Sequence, residues 1–126
     1  MVDDEEDIRN LARIILEDAG YEVIAACDAK EAFDKISAEA PDVVLLDIVM
    51  PEISGLEACA EIKAHQKTRR IPVIMFTALG KESDKEKARK MGADGYVVKP
   101  FDAEDLLAEV KKQMGASKGG ATGGMP

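Results

Sequence analysis

Val43-Val44-Leu45-Leu46-Asp47-Ile48-Val49-Met50-Pro51 is an apolar run broken once by a carboxylate and closed by a proline. Four consecutive aliphatic residues without polar alternation predict a strand covered on both faces, as in a parallel sheet between helical layers. Asp47 stands where that strand leaves the core. Three other apolar runs end on polar side chains: Met1-Val2 on Asp3-Asp4, Val73-Ile74-Met75-Phe76 on Thr77, and Tyr96-Val97-Val98 on Lys99-Pro100. In an open parallel sheet such strand exits share one edge, where ligands bind. Three carboxylates, a hydroxyl and an ammonium would then converge, a set that suits a divalent cation and a phosphoryl group.

Outward from that run, the pattern alternates strand and helix. Ile8, Leu11, Ala12, Ile15 and Leu16 recur at helical spacing, and Gly20 can end that helix. The acidic run Asp3 to Asp7 lies just before it, where negative charge favours a helix N-terminus. Tyr21 to Ala26 reads as a strand. Asp28, with Glu31 three residues on, predicts a capping box opening a helix through Ala32, Phe33 and Ile36. Pro41-Asp42 stops it. Ser54-Gly55 leads into a helix carrying Leu56, Cys59, Ala60 and Ile62, and His65 to Arg70 is a polar connector. Ile71 to Phe76 is a strand, Ser83 to Met91 a highly charged helix ended by Gly92, and Gly95 to Val98 a short strand. Asp102 can cap a last helix with Leu106, Leu107 and Val110 inward. This order predicts an α/β doubly wound domain over residues 1–114. Residues 115–126 hold five of the ten glycines and no periodicity, which predicts a flexible tail or linker.

Length and composition narrow the function classes. A chain of 126 residues is one domain, and 46% hydrophobic content with few aromatics implies an aliphatic core. A formal charge of −8 argues against a nucleic-acid surface, which needs a basic face. No apolar run approaches the roughly 20 residues of a membrane span. Cys27 and Cys59 form no CxxC and follow no signal peptide, so two reduced, packed thiols in a cytoplasmic protein are expected. One feature does not fit. Only Met1 and Val2 precede Asp3, where a first strand should supply about five residues. The first strand reads as truncated, and a central strand so shortened would leave unpaired ladder groups on both neighbours.

Four motifs in order carry a family resemblance: Val2-Asp3-Asp4, Leu45-Leu46-Asp47-Ile48-Val49-Met50-Pro51, Phe76-Thr77-Ala78 and Gly95-Tyr96-Val97-Val98-Lys99-Pro100-Phe101. Together they resemble the receiver domain of two-component response regulators, over residues 1 to about 114. The resemblance implies the flavodoxin-like fold of the chemotaxis regulator, a parallel five-stranded sheet in the order 2-1-3-4-5. It implies that Asp47 is phosphorylated by a sensor histidine kinase or a phosphotransfer protein. It implies Mg²⁺ held by Asp4 directly, by Asp47, by the Val49 carbonyl, and through Asp3 by way of water. Thr77 and Lys99 would hold the phosphoryl oxygens, with a cis bond before Pro100. Thr77 and Tyr96 would form the switch, altering a partner or self-dimer face over residues 83–114. The protein would be a signalling domain that catalyses its own phosphorylation and its slow dephosphorylation.

The residues weigh against other classes. A metal-dependent phosphatase with an Asp nucleophile needs a second acid two residues on, where this chain has Val49. A flavin carrier of the same fold needs a Ser/Thr/Gly-rich phosphate loop after the first strand, where Asp3 to Asp7 would repel a phosphate. A docking-only relative would lack one of the five polar residues, and all are present. No basic helix-turn-helix or catalytic extension follows residue 114, leaving open a stand-alone regulator or a receiver from a longer protein.

Overall fold

The computed structural model describes residues 1–122, with side chains through Gly115. The elements run α1 (Glu6–Asp18), α2 (Ala29–Glu39), β1 (Val44–Leu46), α3 (Gly55–Ala64), β2 (Val73–Thr77), α4 (Glu82–Lys90), β3 (Gly95–Val98) and α5 (Ala103–Thr122). The tail or linker expected over 115–126 falls, past Gly115, where side chains are not described, and residues 123–126 lie outside the described residues. The backbone of α5 itself continues past the boundary expected at 114.

β1, β2 and β3 form a parallel sheet in that lateral order, with Val44 opposite Val73 and Ile74 opposite Gly95. Alternate residues of each strand face opposite layers. Leu45, Ile74, Phe76 and Val97 pack with Ala12 and Leu16 of α1 and Leu106 and Val110 of α5. Val44, Leu46, Val73 and Met75 pack with Ala32 and Ile36 of α2, Cys59 and Ile62 of α3, and Ala88 of α4. Two helices therefore cover one face and three the other, the doubly wound arrangement of a flavodoxin-like fold. The helix starts follow the sequence signals. Asp28 Oδ1 accepts the Glu31 amide at 2.9 Å, Glu31 returns a bond to the Cys27 amide at 2.8 Å, and Ser54 accepts from Glu57. Gly20, at φ +97°, turns the chain out of α1.

The sheet differs from a five-stranded ladder on one side. Tyr21–Ala26 forms no strand, and Met1-Val2 contributes only single bridges, Val2 to Ala26 and Val2 to Leu46, both parallel. The lateral order is still 2-1-3-4-5 when these two segments are counted. Val2 donates to Leu45 O at 2.7 Å and accepts from Asp47 N at 3.0 Å. On the other side Ala26 N donates to Met1 O at 2.9 Å and Asp3 N to Ala26 O at 3.1 Å. The reason is length: a two-residue partner cannot extend a ladder along 21–26. Cys59 is fully buried as expected, whereas Cys27 is exposed, because it precedes α2 with its amide tied to Glu31 and its thiol outside the core.

Candidate functional site

Each polar strand-end residue sits where its strand leaves the core. Asp3 follows the bridged Val2, Asp47 follows β1, Thr77 closes β2, and Lys99 follows β3. Because the strands are parallel and laterally adjacent, these exits share one edge. Asp3 and Thr77 are fully buried and Asp47 is only 4% exposed. Lys99 reaches in from the β3 end, and its Nζ lies 2.5 Å from Asp3 Oδ2, 3.1 Å from Asp47 Oδ2 and 3.7 Å from Glu5 Oε1. The Lys99–Pro100 peptide bond is cis.

The remaining carboxylate oxygens are bonded locally. Asp47 Oδ1 accepts the Val49 amide at 3.2 Å and Asp3 Oδ1 the Glu5 amide at 2.9 Å. Burial pushes the Asp47 carboxyl above its usual range, against the pull of its bond to Lys99. Burial also works to lower the Lys99 ammonium, but its bonds to Asp3 and Asp47 outweigh that and hold it above its ordinary value. Asp4 is exposed beside the buried pair. One oxygen each from Asp3, Asp4 and Asp47 lies within 4.8 Å of the others. Hard oxygen donors in that number, with an open exposed side for water, fit Mg²⁺, which uses one or two carboxylates and keeps several waters.

Thr77 Oγ1 accepts the Leu79 amide at 3.4 Å, a long bond. Tyr96 is half-buried on β3, and its hydroxyl donates to Leu79 O at 2.5 Å. Burial first, then the charges of Asp84 and Asp47, push its phenol up to about 12. Val49 stands 59% exposed two residues after Asp47, and its side chain brings no polar group to the pocket.

Asp3, Asp4, Asp47 and Lys99 thus converge, Thr77 ends the neighbouring strand with its hydroxyl on the Leu79 amide, and the Val49 amide bonds Asp47. Gly55 was read only as a helix start. A Cβ there would lie 2.0 Å from Asp47 O, and its amide donates to Ile48 O at 2.7 Å, so α3 begins directly against the backbone bearing Asp47. The Ser54-Gly55 dipeptide eight residues past Asp47 was the available signal. Asp94 was also missed. Its carboxylate accepts the Val73 amide at 2.9 Å and Lys63 Nζ at 2.8 Å, pinning the start of β2 to α3.

The model of the response regulator receiver domain matches residues 1–111. The chain is 40% identical over 111 residues to the alkaline phosphatase synthesis transcriptional regulatory protein PhoP of Bacillus subtilis, covering 88% of this chain and 45% of that one. It therefore spans about half the length of that curated relative. Among solved structures it is similar to the chemotaxis protein CheY4 of Vibrio cholerae, at 34% identity and TM-score 0.84 over 88% of this chain and 92% of that one. The receiver domain of NtrX from Brucella abortus is 36% identical, with TM-score 0.83 over 90% and 94% of the two chains.

Proposed function

Since this chain belongs to the receiver domains of two-component response regulators, we propose that it accepts a phosphoryl group on Asp47 and relays that event to a partner. The observation that carries this reading is the buried Asp47 carboxylate at the β1 exit, 3.1 Å from Lys99 Nζ and grouped with Asp3 and Asp4. A carboxylate is a competent nucleophile when the group it attacks is positioned and its charge offset. An Asp47 oxygen forms a bond to phosphorus as the phosphorus–nitrogen bond of a phosphohistidine breaks, and the imidazole keeps the electron pair and takes a proton. Lys99 offsets charge on the phosphoryl oxygens, and the Thr77 hydroxyl is placed to donate to one of them. Asp3, Asp4, Asp47 and the Val49 carbonyl would hold Mg²⁺, which supplies further charge neutralisation.

The donor is a sensor histidine kinase or phosphotransfer protein, met in the cytoplasm. Hydrolysis of the acyl phosphate is slow, because Val49 and Leu79 offer no polar side chain to orient an attacking water. Thr77 drawn toward the phosphate would release its long bond to Leu79, and Tyr96, which holds the same residue, would move with it. The face over residues 83–114 then changes for a protein target or a second copy.

Intact-protein mass after incubation with Mg²⁺ and a small phosphodonor tests the reading. One phosphoryl adduct, dependent on Mg²⁺ and absent from Asp47→Asn, is the expected result. No adduct, or an adduct kept in Asp47→Asn, overturns it. A half-life of seconds for that adduct in Mg²⁺ would overturn the slow hydrolysis alone.

A further inference from the structure

Lys99 meets a ring as well as carboxylates. Its Nζ lies over Phe76, 5.0 Å from the ring centroid. Strand register explains the meeting. Phe76 stands opposite Val97 on β3, and Lys99, two residues past Val97, belongs to the same side of the sheet. The Lys99 amide still donates to Thr77 O at 2.8 Å, so the two chains remain side by side there. A lysine stem leaving at that point passes the ring on its way to Asp3 and Asp47.

The ring itself is held firmly. Phe76 is fully buried, and the other buried residues of its layer are all aliphatic. Phe101 packs on it edge-on, with centroids 5.0 Å apart and planes at 61°. An aliphatic side chain could fill the same space, but only a ring presents a negative face to a cation. The Lys99 side chain is 9% exposed, so little water weakens that attraction.

A ring face also does what a carboxylate cannot. The ammonium carries three N–H donors. It bonds Asp3 at 2.5 Å and Asp47 at 3.1 Å, while Glu5 at 3.7 Å is too far for a hydrogen bond. Turning a donor to an arriving phosphoryl oxygen means loosening the bond to Asp47. Attraction to a ring depends on where the charge sits, not on where its N–H groups point. The ammonium can therefore reorient without leaving its place.

On the reading of Asp47 as the phosphoacceptor, we propose that Phe76 is a positioning residue for Lys99. Its ring face keeps the ammonium at the strand-exit edge while the N–H groups pass from carboxylate to phosphoryl oxygen.

Replacing Phe76 by mono-, di- and trifluorinated phenylalanine tests this, because fluorine withdraws charge from the ring face with little change of shape. Two quantities are followed. One is the rate of phosphoryl uptake from a small donor in Mg²⁺. The other is the proton shift of the Lys99 ε-methylene without Mg²⁺ or donor, which the Phe76 ring moves upfield of the other lysines. Uptake is expected to fall stepwise, about tenfold for the trifluorinated ring. The methylene should move back toward the other lysines along the same series. Ile74→Val, which loosens the same layer but keeps the ring, should lower Tm and leave uptake unchanged. Equal uptake across the fluorinated series, or a Lys99 methylene unshifted in the unmodified chain, overturns the proposal while the Asp47 adduct stands. Uptake lost as far in Ile74→Val as with the trifluorinated ring overturns it too, leaving Phe76 a packing residue. No adduct in the unmodified chain, with the methylene shifted, overturns the phosphoacceptor reading and the positioning role with it.

Discussion

Lys99 holds two buried carboxylates with one ammonium. Its side chain is 9% exposed and theirs 0% and 6%, so water screens them little. Removing one partner of such a group leaves like charges buried together. Lys99→Ala is expected to lose about 3 kcal/mol in urea unfolding with chelator present. A loss below about 1 kcal/mol would mean that water replaces the ammonium freely. Tyr96 offers a second reading at this scale. Its phenol is raised from 10.0 to about 12 by burial first. The stability it contributes is therefore complete below about pH 10 and lost as pH rises through about 12. Tyrosinate absorbance should show one of the two tyrosines ionising near pH 12, and Tyr96→Phe should abolish that late step. The places of the five polar strand-end residues were legible in the sequence because each follows a strand signal. The partner of Lys99 was not, since no spacing tells that Asp3 turns inward while Asp4 faces solvent.

Helices were the most readable elements, because each carries a cap residue or an apolar period that local chemistry enforces. Strands were less so. Tyr21–Ala26 has the composition of a strand, but a strand needs a partner along its length, and that depends on another part of the chain. The loop from Asp47 to α3 shows what an element-scale contact demands. Gly55→Ala places a methyl group 2.0 Å from Asp47 O, against backbone on both sides. We expect it to cost more than about 2 kcal/mol in denaturant unfolding and to slow phosphoryl uptake together. Loss of stability with unchanged uptake would show that α3 does not position Asp47. In the same loop Glu52 holds φ 67°, a left-handed conformation that a Cβ disfavours. Glu52→Gly should gain about 0.5–1 kcal/mol by thermal or chemical unfolding, and a loss would mean that the Glu52 side chain stabilises the loop.

Over the whole molecule, each helix follows a strand segment and so begins at the edge that bears Asp47. The first turns carry Glu6 and Asp7, Glu31, Glu57, Glu82 and Asp84, and Glu104 and Asp105. The last turns of α3 and α4 are basic, with Lys63 and with Lys87, Arg89 and Lys90, whereas α1 and α2 have no basic residue there. The helix dipoles favour the acidic first turns, which add negative charge to the edge that bears Asp47, where the proposed phosphoryl group would arrive. Raising ionic strength from about 0.01 M to about 0.15 M shortens the Debye length from about 30 Å to about 8 Å. Uptake from a small anionic phosphodonor should then quicken several-fold at saturating Mg²⁺. Slower uptake in salt would mean that local groups such as Lys99 govern approach. The layering of this molecule was legible from period and connection length, whereas its lateral order came from the family resemblance.

Gly55 also bears on stiffness. With no side chain between them, α3 and the strand bearing Asp47 are in direct abutment, so that flank of the pocket behaves as an anvil. The opposite flank carries Thr77, whose hydroxyl accepts one long bond of 3.4 Å from the Leu79 amide. On the proposed reading, bulk added on Asp47 would meet that abutment on one flank and press toward Thr77 on the other.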